Sequence, residues 1–319
     1  MDLSTAALGL FAISSKVMIW LHPLWLVGVG VLAVLAVLAG ILLLLRRFLP
    51  RITAIASTTA KEALSQPFFY VILGIGAFAL LVFPFIPYNT FGEDIKVLKD
   101  EGLTLIMVLS IILALWTASL SIADEIEGRT ALSLLSKPIG RRSFIVGKFL
   151  GVIGPVVILF IVLGALFLGT VSYKRVYDSR ESAQELPTRQ QCQEEIVQIV
   201  PGLALAFLEA VVLTSIGVAI STRLAMIPNL IICISIYVLG HLVPMVVNSA
   251  VGRFEIVAFV GTFLATILPV LGHFNIYTAI ATGKEVPWAY VGMASIYCVL
   301  YSTAAMLLAL LLFEDRDLA

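Results

Sequence analysis

Long uncharged apolar runs alternate along the chain with short polar intervals, and the runs can be read one at a time. A helix that crosses a hydrocarbon core of about 30 Å needs about 20 apolar residues. Seven stretches reach that length: Leu24 to Leu45, Phe68 to Pro87, Leu103 to Ala123, Phe149 to Val171, Ile199 to Ile220, Leu224 to Val247 and Trp288 to Phe313. The first runs 22 residues without a charge, longer than the apolar region of about 7–15 residues in a secretory signal. Trp20 and Trp25 at one end and Arg46, Arg47 and Arg51 at the other mark its two interfaces. Ile256 to Leu271 has only 16 residues and contains Pro269, which predicts a re-entrant or interfacial segment before the last span. The pattern as a whole predicts an all-α, polytopic integral membrane bundle.

Between the first two spans, residues 51–66 place Ile52, Ile55, Ala56, Thr59, Ala60, Ala63 and Leu64 on one helical stripe, with Arg51, Lys61 and Glu62 off it. This predicts an interfacial helix, ended by Pro67; the alternative is a short polar linker, because the stripe is only weakly apolar. Two outer loops are expected, one around Glu93 to Glu101 and one over residues 172–198. Both are too short to fold as domains by themselves.

Composition agrees with a lipid environment: 61% of residues are hydrophobic, 13% are charged and the mean hydropathy is +1.08, whereas about a quarter of a soluble domain is charged. With 20 basic and 20 acidic residues the formal charge is zero, so nothing points to nucleic acid. Cys192, Cys233 and Cys298 are odd in number and lack the spacing of a disulfide framework or metal site. Charge placement then sets orientation. Seven spans put the termini on opposite sides, and the positive-inside rule favours the arrangement that puts Arg46, Arg47, Arg51, Lys61, Arg129, Lys137, Arg141, Arg142, Lys148, Arg223 and Arg316 in the cytosol. Lys174 and Arg175, directly after a span on the outer side, oppose it.

The stretch between the third and fourth spans, residues 124–148, orders its charges by sign. Asp124, Glu125 and Glu127 come first, and Arg129, Lys137, Arg141, Arg142 and Lys148 follow. Thr130 to Lys137 predicts a short helix with Ala131, Leu134 and Leu135 on one side and Pro138 as its stop. An apolar ridge flanked by charge suits docking into a groove on a soluble partner. A loop that only fixed topology would need basic residues near its ends, but neither the acidic cluster nor the ridge.

At these residues the chain resembles the coupling-helix region of type-2 ABC transporter permeases, the bacterial ABC exporter-like class of transmembrane subunit. The resemblance lies in the acidic residues, then Arg129-Thr130, then Leu134-Leu135-Ser136-Lys137-Pro138, then Arg141 and Lys148 leading into a span. The interfacial helix before Phe68, the Leu268-Pro269 segment and the charged tail from Phe313 to Asp317 match as well. The resemblance implies a six-span permease domain over residues 50–319, preceded by an N-terminal extension, residues 1–49, with an additional transmembrane helix at 24–45. It further implies that Asp124, Glu125, Glu127, Arg129, Thr130, Leu134, Leu135, Ser136, Lys137, Pro138, Arg141, Arg142 and Lys148 dock on a separate ABC ATPase subunit. On this reading ATP and Mg are bound by that subunit and no cofactor by this chain, and a second permease copy or paralogue completes the transporter. The expected action is export across a bacterial inner membrane, with a cytosolic C-terminus.

Catalysis by the chain itself is not expected. A phosphate loop needs Gly-x-x-x-x-Gly-Lys-[Ser/Thr], and the nearest approach, Gly140 to Phe149, has six intervening residues and Phe in place of the hydroxyl. No His-Glu-x-x-His or Gly-x-Ser-x-Gly motif occurs. Glu209 is the one formally charged residue deep inside a span, where a charge costs about 2.5–3.5 kcal/mol on insertion scales. It either faces a substrate pathway or is a neutral carboxyl hydrogen-bonded to a neighbouring helix. His241 and His273 stand outside any metal-ligand cluster. Gly147, Gly151 and Gly154 are spaced for close helix packing. The alternative function is an ATP-independent secondary transporter or channel, against which stands the lack of an inverted repeat or of paired broken helices.

Overall fold

The computed structural model describes residues 19–86, 88, 94–127, 140–181, 185–247, 254–276, 279–280 and 286–314. Its helices are α1 (Leu24–Phe48), α2 (Pro50–Ser65), α3 (Pro67–Val82), α4 (Asp94–Glu127), α5 (Arg141–Glu181), α6 (Arg189–Ser221), α7 (Met226–Val247), α8 (Glu255–Ile267) and α9 (Trp288–Glu314). Seven of them, α1, α3, α4, α5, α6, α7 and α9, are long and apolar enough to cross a membrane. Among the described residues there is no strand. The chain is therefore an all-α, multi-pass membrane bundle. α8, with 13 residues, is the short apolar helix before the last span.

Three helices make the centre. In the most apolar window of α4, 72% of residues are buried within the chain, against 61% in α6, 50% in α5 and 6% in α1, so α1 sits at the periphery. α4, α5 and α6 pack against one another, α9 packs on α6, and α8 packs on α7. The core includes Leu103, Ile106 and Leu113 of α4, Val156 and Phe167 of α5, and Leu205 and Leu213 of α6. α1 is held to α5 near its own start: the Ser172 hydroxyl donates to the Trp20 carbonyl at 3.0 Å, and Trp20 meets Tyr173 edge-on at 5.6 Å.

The polar stretches expected as outer loops are largely helical. α4 begins at Asp94, α5 continues to Glu181 and α6 begins at Arg189. At about 1.5 Å per residue, the 41 residues of α5 reach about 60 Å, twice the hydrocarbon thickness. Local chemistry explains the extension. Lys174 and Asp178 pair at i,i+4, 3.0 Å apart. Thr188 and Gln191 close a capping box at the start of α6, with the Thr188 N–H donating to Gln191 Oε1 at 2.9 Å.

Residues 51–66 also resolve into a helix, and its stripe faces protein. Thr53, Thr59 and Ala63 of α2 are buried, and Ile55, Thr59 and Ala60 meet the glycine row of α5. A methyl group on Gly147 would lie 2.8 Å from Ile55 Cβ, one on Gly151 would lie 2.6 Å from Thr59 Cβ, and one on Gly154 would lie 2.9 Å from Ala60 Cβ. Contact positions rise together along both helices, so α2 runs parallel to the first turns of α5. Small residues permit this approach where lipid supplies no hydrophobic drive between helices.

Candidate functional site

The segment singled out by sequence joins two central helices. Asp124, Glu125 and Glu127 occupy the last turns of α4, and Arg141 and Arg142 open α5 with exposed side chains. Arg129, Thr130, Leu134, Leu135, Ser136, Lys137 and Pro138 lie outside the described residues. Lys148 is buried, at 3% exposure, with its ammonium 5.7 Å from the centroid of the Phe144 ring one turn earlier. Phe144 in turn stacks on Phe313 at 5.7 Å, fastening the start of α5 to the end of α9.

A second fastening at the same end of the bundle has no counterpart in the sequence reading. Asn229, in the first turn of α7 and fully buried, donates through Nδ2 to Ser119 Oγ of α4 and to Ser221 Oγ of α6, both at 2.8 Å. The Cys233 thiol donates to Asn229 Oδ1 at 3.4 Å. One amide thus ties three helices together five residues before Asp124. The legible signal was an Asn in an apolar run, because a buried amide must find partners.

At the opposite end, α4, α5 and α6 are joined by ion pairs. Lys99 of α4, 2% exposed, pairs with Glu195 of α6, and Glu195 also lies 3.8 Å from Arg175 of α5. Lys174, 1% exposed, pairs with Asp178 and lies 3.6 Å from Asp94, while its ammonium donates to the Pro84 carbonyl at 3.1 Å. Buried cations persist only with partners of this kind. A cavity of about 540 Å³ opens beside them, lined in part by Asp94, Arg175, Asp178, Glu181 and Glu185. Nearby, the Tyr88 hydroxyl donates to Glu101 at 2.8 Å; burial, and then that hydrogen bond, hold the phenol above its ordinary pKa.

Glu209 is enclosed midway along α6, with no exposed surface. Among the described residues neither carboxylate oxygen has a hydrogen-bond partner, and the Nε2 atom of His241 on α7 stands 3.4 Å from Oε1. The other ring nitrogen, Nδ1, is 3.1 Å from the Tyr237 carbonyl. The pairing of Glu209 with His241 escaped the sequence reading, although two isolated ionisable groups in adjacent spans are a recognisable signal. His273 lies apart in a short turn, its carbonyl accepting from the Tyr290 hydroxyl at 2.6 Å. Among the described residues no group of His, Cys, Asp and Glu is placed to hold a metal ion, and all three cysteines are buried free thiols.

The fold and these ties define an all-α multi-pass membrane protein with a polar connection between two central helices. No protein-family model matches the chain, and no curated protein is significantly similar to it.

Proposed function

We propose that the chain is the transmembrane permease subunit of an ABC-type transporter, driven by a separate ATPase that docks on residues 124–148. The observation that carries this reading is the order of residues in that segment: acidic residues, the apolar pair Leu134-Leu135, Pro138, then basic residues. Its setting in the bundle supports the reading. The segment connects α4 with α5, and α2 is seated on the first turns of α5 through Gly147, Gly151 and Gly154. A displacement applied between α4 and α5 is therefore delivered to α2 through α5, and to α6 and α7 through Asn229. A transport subunit needs such transmission, since packed interfaces shift between discrete arrangements instead of deforming continuously.

In this account residues 50–319 form the permease domain, and residues 1–49 are an extension whose helix α1 rests on the outside of it. A second copy or a paralogue completes the transporter, ATP and Mg belong to the ATPase, and substrate moves outward across a bacterial inner membrane. The C-terminus is cytosolic. Lys174 and Arg175, the residues that oppose this orientation, lie beside the carboxylates of Asp178 and Glu195.

The test is complex formation with the cognate ATPase. Leu134→Asp or Leu135→Asp is expected to dissociate or uncouple the complex while the permease still folds. Retention of full binding and of permease-stimulated ATP hydrolysis in both variants would refute the docking assignment, and transport by the chain without an ATPase would favour a secondary transporter.

A further inference from the structure

The Glu209 and His241 side chains face each other inside the bundle, and their geometry limits how many protons they hold. Nδ1 of His241 is 3.1 Å from the Tyr237 carbonyl, which can only accept, so Nδ1 carries a hydrogen. That leaves Nε2, 3.4 Å from Glu209 Oε1, and among the described residues neither atom has a hydrogen-bond partner. With one proton between them, the pair is either a carboxylic acid beside a neutral imidazole or a carboxylate beside an imidazolium; both are neutral overall. With none, a fully buried carboxylate faces a lone pair, and with two, an imidazolium whose side chain is 21% exposed loses its counter-charge. Both of these leave an uncompensated charge inside the protein.

Among the described residues no Lys or Arg is ion-paired with Glu209, and Tyr237 of α7 is close enough to interact with it electrostatically. α4 carries no ionisable side chain from Gly102 to Ile122, and α5 carries none from Phe149 to Ser172. From α9, Cys298 donates to the Leu208 carbonyl at 3.5 Å, Tyr297 accepts from the Val270 N–H and Tyr301 donates to the Ile267 carbonyl. From α7, Cys233 donates to Asn229, and the Tyr237 ring lies 4.8 Å from His241. His273, in the turn packed on α7, rests edge-on against Tyr297, and Glu255 is exposed at the start of α8.

We propose that Glu209 and His241 form one proton-binding site inside the membrane-spanning bundle, holding a single proton between α6 and α7. The shared proton lies between Nε2 and Oε1, so each side chain is the other's partner in holding it. A movement that separates α6 from α7 divides the site and alters its proton affinity, so a conformational change at this interface is accompanied by proton uptake or release.

The test uses the full chain in lipid nanodiscs, without an ATPase or substrate, so its outcome is separate from that of the docking experiment. An infrared pH titration follows the carboxyl signal of Glu209, assigned by its loss in Glu209→Gln. In His241→Gln its midpoint is expected to move by at least about one pH unit, a tenfold change in proton affinity; an unchanged midpoint overturns the proposal. Nitrogen NMR of the His241 ring in the wild-type chain gives a second reading that needs no variant to fold. Nδ1 is expected to be protonated at every pH at which the protein is folded, and a bare Nδ1 contradicts the proposal.

Discussion

Gly151→Ala is a direct perturbation of the α2–α5 contact. The added methyl would lie 2.6 Å from Thr59 Cβ, 2.9 Å from Thr59 Cγ2 and 3.0 Å from the Ala56 carbonyl oxygen. Ordinary carbon contacts are about 3.5–4.0 Å, so the helices must part by about 1 Å. No rotamer change relieves this, because a Cβ and a backbone oxygen are fixed to the helix. Parting there also loosens the contacts of Gly147 with Ile55 and of Gly154 with Ala60. Overpacking of this kind costs about 1–3 kcal/mol, partly offset by about 1 kcal/mol from the better helix propensity of alanine. The net expectation is a loss of up to about 2 kcal/mol, measured by reversible denaturation in mixed micelles. Gly40→Ala, on α1 with nothing within 4 Å, is the matched control and should be neutral or slightly stabilising. Thr59→Val keeps the shape of the contact and removes a buried hydroxyl without a partner, so it should not destabilise. If Gly151→Ala proved as stable as Gly40→Ala, the tight seating of α2 on α5 would be wrong, and with it the route by which α5 carries α2.

Asn229→Ala removes two hydrogen bonds between helices; at about 0.6 kcal/mol each in membrane proteins, a loss of about 1 kcal/mol is expected in the same denaturation assay. Unchanged stability would show that the amide does not tie α4, α6 and α7. Lys99→Met strands Glu195, but Arg175 lies 3.8 Å from that carboxylate, so the cost should fall to about 2 kcal/mol, below the 3–5 kcal/mol of a fully broken buried pair. Adding Glu195→Leu should recover most of it; failure of that double variant to recover would argue against the pairing.

The spans were legible because lipid imposes a length and excludes charge, and both constraints are written in consecutive residues. Leu24 to Leu45 and Trp288 to Phe313 therefore fall within α1 and α9. The glycine row of α5 was readable for the same local reason, since the spacing of Gly147, Gly151 and Gly154 determines which face can approach another helix. Its partner was not: the stripe of α2 reads equally as a lipid-facing surface, and only tertiary packing turns it onto α5. The helical extensions beyond the spans were hidden by their charge. Lys174 and Arg175 look like loop residues until Asp94, Asp178 and Glu195 are brought beside them from other turns and helices. Asn229 and the Glu209–His241 pair were missed because each depends on the rotation of α7 about its axis, which a nearly uniform apolar sequence leaves undetermined.

Within the proposed transporter these ties divide the work. Asn229 holds α4, α6 and α7 together at the end where the ATPase would dock, while the ion pairs of Lys99 and Lys174 join α4, α5 and α6 at the opposite end. The central helices would then move as coupled bodies. The most direct test of this account is site-specific photo-cross-linking from position 134 in the assembled complex, with a lipid-facing position on α1 as control. The account predicts an adduct between position 134 and the ATPase subunit whose yield changes with nucleotide, and none from α1. Absence of that adduct from a complex that still hydrolyses ATP would contradict the assignment of residues 124–148 as the coupling segment.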